Sequence, residues 1–316
     1  MKTKVPFHHT KSAQKAKYRV QNWHDYEQGL VARGSLTVWI PDDIEERWYA
    51  QGRQTYTNTA IELVLVLKLR FSLPLRGAEG FARSIFDLVG RPLIVPDHST
   101  LSRRAVSLSP TLKKRLNKQE VDFILDSTGA KVLGEGEWKV RTHGKGKRRT
   151  WTKIHIGIDS DGEIRAVVTT LSNTHDSTPV NDLLLQETRP IQGFWGDGAY
   201  DAAPVYMALA AHRVKDVHIP PHKNARIRKH GNAKGPPLVR DEHIRSIREK
   251  GRKRWKQESG YHTRSLAETN MFRYKTTFGD RMSFRNRKSQ ATEAVIKCTI
   301  LNRFYTLGMP ESVKAA

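Results

Sequence analysis

The sequence predicts an α/β protein in which a mainly helical N-terminal domain (residues 1–118) precedes a mixed-sheet domain (119–310). Three observations lead there. The 316 residues are enough for two ordinary domains. Apolar runs opened by N-cap residues fill the first third, and from Val121 short β-branched runs alternate with helical patterns.

In chain order, Thr59 and Glu62 form a capping-box pattern ahead of Ile61, Leu63, Val64, Leu65, Val66, Leu67 and Leu69. Apolar on nearly every side, that helix belongs at the centre of the first domain. A second helix runs through AEGFARSIFDLVG to Gly90, and Asp97-His-Ser-Thr opens a third with N-cap chemistry. The pair is compatible with a helix-turn-helix over 78–108, whose second helix would offer Arg103 and Arg104 to DNA; ordinary helical packing with a basic outer face is the competing reading.

VDFIL, KIHIGID and IRAVVTTL then read as strands, the last two joined by an Asp161-Gly162 turn. A helix over 178–187, the strand IQGFWG, a helix over 202–211 and the strand VHIP follow. Residues 222–258 carry 13 Lys/Arg against four acids, and IREKGRKRWKQ within them has helical character. Helices resume at 263–278 and 290–305.

Composition narrows the partner. Lys and Arg number 55 against 32 acids, a net charge of +23 with a pI near 10.2. Such an excess suits a polyanion, and nucleic acid fits better than a membrane surface because the basic residues form no single amphipathic stripe. A lone cysteine, Cys298, excludes an internal disulfide and any cysteine-cluster zinc site. No apolar leader or membrane-length run is present, so a soluble, cytoplasmic protein is expected.

Four residues carry the chemistry. Tyr261, Arg264, Glu268 and Lys275 fall at i, i+3, i+7 and i+14, one stripe of a helix turning about 100° per residue. An acid flanked by two cations and a phenol can hold a metal ion and grip phosphate oxygens. Asp126 ends the apolar run VDFIL, where a polar turn begins; Asp197 lies between Gly196 and Gly198, which leave room for a metal or a phosphate. Each alone could be a turn-forming Asp. Successive acids stand 71 positions apart (126, 197, 268). Two hard divalent cations need oxygen ligands, and three such acids could supply them for in-line phosphodiester displacement.

In these motifs the sequence resembles the DDE-type transposases of bacterial insertion sequences, in the group marked by Tyr-x2-Arg-x3-Glu-x6-Lys. The match is complete at Tyr261, Arg264, Glu268 and Lys275, with Asp126-Ser127-Thr128 and Gly196-Asp197-Gly198-Ala199-Tyr200 in the contexts of the first two acids. The resemblance spans about 119–305 and implies a ribonuclease H-like fold. It further implies that Asp126, Asp197 and Glu268 bind two Mg²⁺ ions, with Mn²⁺ able to substitute, while Arg264, Lys275 and Tyr261 engage DNA near the scissile bond. The implied reaction is hydrolytic nicking at terminal inverted repeats, then attack of the freed 3′-hydroxyl on target DNA. Joining two ends implies a homo-oligomer, acting on the bacterial nucleoid.

The loop WKVRTHGKGKRRTWTK adds seven Lys/Arg and no acid, and Lys145, Lys147, Arg148 and Arg149 are expected to track phosphates. Asp159, Asp176 and Asp201 compete for membership of the acid set; Asp159 is expected to shape its hairpin. Two other functions share the scaffold: an inactive or domesticated DNA-binding protein, and a ribonuclease H-like nuclease.

Overall fold

A computed structural model of the protein describes residues 18–52, 55–91, 93–115, 118–132, 151–230 and 235–314. After a short strand, β1 (Tyr18–Val20), come the helices α1 (Trp23–Ala32), α2 (Asn58–Arg70), α3 (Leu75–Leu88) and α4 (His98–Ser107). Helix α2 is the buried centre its composition predicts: seven of its apolar side chains, from Ala60 to Leu69, are buried. Its cap lies two residues before the predicted one. The Thr57 hydroxyl accepts from the Ala60 amide and starts the helix at Asn58. Asp97 caps α4, accepting from the Ser99 and Thr100 amides. The α3–α4 connection, residues 89–97, is longer than the three or four residues of a helix-turn-helix turn.

The sheet is built from β2 (Val121–Val132), β3 (Trp151–Ile158), β4 (Ile164–Leu171), β5 (Ile191–Trp195) and β6 (Asp216–His218). Its spatial order is β4-β3-β2-β5-β6. The first three strands pair antiparallel, whereas β2–β5 and β5–β6 are parallel, giving the mixed sheet of a ribonuclease H-like domain. A two-residue strand, β7 (Arg281–Met282), pairs with the far end of β2.

Alternation along β2 sorts the two cores. Phe123 and Leu125 point to one face, where α5 (Val180–Leu184) and α6 (Ala203–Ala211) contribute Leu183, Leu184, Val205 and Leu209. Ile124 points to the other, covered by α9 (Ser265–Phe278) and α10 (Arg287–Leu307). The N-terminal helices join this second core. Thr292 of α10 donates its hydroxyl proton between the Ala105 and Leu108 carbonyls, and Asn302 bonds both the amide and the carbonyl of Ile164 on β4. Helix α10 is thus packed against α2 and α4 on one side and the sheet on the other. A last strand, β8 (Ser312–Lys314), pairs antiparallel with β1.

The basic stretch after β6 forms α7 (Val239–Lys250) and α8 (Arg252–Glu258), broken at Gly251, whose φ of 84° is left-handed. It is anchored by Arg240, which bonds the buried Asp201 through Nε (2.7 Å) and Nη2 (3.2 Å). Asp201 is therefore an anchor for this segment. Asp159 shapes its hairpin, accepting from the Asp161 and Glu163 amides. Among the described residues no helix is long and apolar enough to cross a membrane.

Candidate active site

Strands β2 and β5 position the first two acids. Ile124 pairs with Trp195 in the parallel ladder, and β5 ends there. Two residues further along stand Asp126, still within β2 and on the side of Ile124 by the two-residue period, and Asp197, in extended backbone just past the end of β5. The polar turn expected after Asp126 does not form. β2 continues to Val132 because β3 pairs with it as far as Lys131, so Asp126 is a mid-strand residue on an edge that β5 has vacated. Asp197 turns the chain out of β5, its carboxylate accepting from the Ala199 amide at 2.8 Å.

The third acid arrives from the covering helix. Residues Tyr261–Arg264 form a 3-10 turn that contacts both β2 and β5. The Trp195 indole donates to the Gly260 carbonyl at 3.2 Å, which fixes where that turn begins. The stripe survives a change of pitch: positions three apart eclipse in the 3-10 turn, and Glu268 and Lys275 then share a face of α9. Arg264 joins the acids. Its Nη2 donates to Glu268 at 2.6 Å and its Nη1 lies 3.8 Å from Asp126 Oδ2.

The electrostatics follow. Burial pushes the Asp126 carboxyl above the usual carboxylate range; the Ser127 amide and Arg264 oppose this, and the charges of Asp197 and Glu268 reinforce it. Arg264 is drawn upward by Tyr261 and all three acids against its own desolvation. One guanidinium thus pairs with two of the three carboxylates, Asp126 and Glu268. Oxygen-only donors of this kind suit a hard divalent cation. As they stand, no three His, Cys, Asp or Glu among the described residues close around one ion, and Arg264 lies between Asp126 and Glu268. The Glu268 side chain is 60% exposed, so its i,i+4 pair with Arg264 is an inexpensive one to open, about 0.3–0.5 kcal/mol.

The other expected contacts separate into groups. Tyr261 is half-buried with Lys256 Nζ 4.8 Å from its ring centre, and Lys275 is exposed. Arg103 is exposed and donates to the Thr100 hydroxyl, whereas Arg104 ties α4 to the start of α2 through the Tyr56 carbonyl and Asn58. Lys145, Lys147, Arg148 and Arg149 lie outside the described residues.

One neighbour carries more than its sequence context suggests. Asp176, a competitor for the acid set, lies behind β2: its Oδ1 accepts from the Ser127 hydroxyl at 2.7 Å, with Lys153 Nζ at 3.1 Å. Only the alternation of β2, which turns Ser127 away from Asp126, could have pointed to it.

The chain matches a family model described as a transposase DDE domain over residues 117–303, more than half its length. A second model of the same description matches residues 31–135. No solved structure matches.

Proposed function

The chain belongs to the DDE transposase family, and from that premise we propose that it binds the terminal inverted repeats of its element, cleaves the ends by Mg²⁺-dependent hydrolysis and transfers the strands into target DNA. The observation that carries this reading is Arg264 paired with both Asp126 and Glu268, with Asp197 two residues beyond Trp195, the ladder partner of Ile124 on the strand beside Asp126.

In this reading Asp126, Asp197 and Glu268 hold two Mg²⁺ ions, for which Mn²⁺ substitutes. Bound there, the metal supplies Lewis-acid activation of the nucleophile and stabilisation of the leaving oxygen. The chain's own residues do the rest. Asp126, rigid in mid-strand, and Asp197, locked by the Ala199 amide, provide fixed oxygens; Glu268, exposed on α9, swings in as Arg264 releases it. Arg264, once released, and Lys275 meet the phosphates flanking the scissile bond, where a planar guanidinium can bond two oxygens at once. Water and then a DNA 3′-hydroxyl occupy the same nucleophile position, so one site serves both steps.

Residues 119–310 form the catalytic unit in this account. Residues 1–118, including 78–108 and Arg103, contribute DNA contacts, as do the loop around Lys145–Arg149 and parts of 222–258. Synapsis of two ends brings together at least two copies on the nucleoid.

The test is cleavage of duplexes bearing the element's flanking repeats, in Mg²⁺, by wild type and Asp197→Ala. Cutting by wild type alone supports the proposal. Equal inertness with retained end binding would make the chain a DNA-binding protein only. Equal cutting of RNA or random duplex would make it a nuclease of the same fold.

A further inference from the structure

We propose that Asp176 is a positioning residue which, through Ser127 and beside Tyr200, fixes the spacing of Asp126 and Asp197 from the rear of the sheet. The proposal rests on the metal-binding reading of those two acids.

Asp176 sits in the connection between β4 and α5, on the face opposite the acids. A carboxylate on such a connection with no task would be left to water. This one accepts from Ser127 at 2.7 Å and pairs with Lys153 at 3.1 Å, while Lys153 also donates to the Thr174 carbonyl at 2.9 Å. Lys153 and His155 share a face of β3 by the two-residue period, and His155 is directly opposite Ser127 in the ladder. The buried imidazole places Nδ1 3.7 Å from Asp176 and bonds the Thr170 hydroxyl through Nε2 at 2.8 Å. Asp176 therefore clamps the connection onto β2 and β3 one residue from Asp126.

Tyr200 extends the clamp to the second acid. Its ring is buried under the turn that carries Asp197: a Cβ on Gly196 would lie 2.9 Å from it. Among the described residues its buried hydroxyl has no hydrogen-bond partner. His155 Nδ1, 3.7 Å from Asp176, is likewise buried without a hydrogen-bond partner among the described residues. A small movement of Asp176 would satisfy His155 Nδ1. On the front, Asp126, Asp197 and Glu268 repel one another with one guanidinium among them. The rear bonds oppose that spreading at Asp126, one residue from Ser127.

Mn²⁺ binding to the full chain, followed by electron paramagnetic resonance, tests this without reference to turnover. Asp176→Ala and Ser127→Ala should each weaken Mn²⁺ by about ten-fold, the low end of the loss on removing an outer partner of a metal ligand. The double variant should be no weaker than Asp176→Ala alone, because that change already removes the Ser127 bond. Ser127→Ala removes a single hydroxyl and decides the question should Asp176→Ala fail to fold. Unchanged Mn²⁺ affinity in the folded variants overturns the positioning role alone. A wild type that takes up no Mn²⁺ overturns the metal reading and this inference with it.

Discussion

Asp126 and Asp197 stand at the same offset, two residues beyond the directly paired Ile124 and Trp195, on adjacent parallel strands of which only one continues. The ending of β5 opens the edge of β2 at the level of Asp126. The acids are therefore neighbours by ladder register, and the 3-10 turn pinned by Trp195 delivers Arg264 and Glu268 to the same place.

Asp126→Asn should lose cleavage and gain stability. Burial raises the folded-state pKa of this carboxyl, so its contribution to stability is fullest at low pH and is lost as pH rises through the raised value. At pH 8 the ionised group is a burden that Asn removes. Thermal melting should place the variant above wild type at pH 8, with the gap closing toward pH 4, while cleavage falls to background.

Mg²⁺ should stabilise the folded chain. A ligand at a hundredfold excess over its Kd adds about 2.7 kcal/mol, provided it does not bind the unfolded chain. Denaturant titration should show a shift of that order in wild type and a much smaller one in Asp197→Ala.

His155 should make the protein acid-sensitive. Burial pushes its pKa down to about 4 from 6.5, against the pull of Asp176 and with a further push from Lys153. Between those values the unfolded chain binds more protons. Stability is thus full above pH 6.5 and falls as pH drops toward 4, by about 2 kcal/mol between pH 7 and 5. Urea midpoints at the two pH values should diverge in wild type and converge in His155→Gln.

Gly157→Ala should damage the sheet itself. The Phe123 ring, fully buried and stacked on Phe194 with centroids 6.3 Å apart, lies where a Cβ at 157 would go. Neither ring has room to retreat, so overpacking should cost about 1–3 kcal/mol in urea denaturation.

Much of this arrangement could be read from the residues. The short runs KIHIGID and IRAVVTTL located β3 and β4, the apolar α2 declared its burial, and the spacing from Tyr261 to Lys275 marked the stripe that runs from the 3-10 turn onto α9. Local pattern misplaced what pairing decides. Ser127-Thr128-Gly129 has turn chemistry, yet β3 holds it in a strand; Thr59 resembles a cap, yet Thr57 is the one that accepts from the Ala60 amide. Arg264 has the chemistry of a phosphate clamp, but in the folded chain it first serves the acids. Asp176 was unreadable as a partner of Ser127, because that contact joins residues 49 apart across a face that only the sheet defines.

The central claim, that Asp197 is a metal ligand for strand cleavage, is tested most directly by changing the ligand atom. Asp197→Cys presents a soft sulfur, which disfavours Mg²⁺ and tolerates Mn²⁺. End-duplex cleavage by this variant should be absent in Mg²⁺ and partly restored in Mn²⁺, with wild type active in both. Cleavage by Asp197→Cys in Mg²⁺ at the wild-type rate would contradict the account.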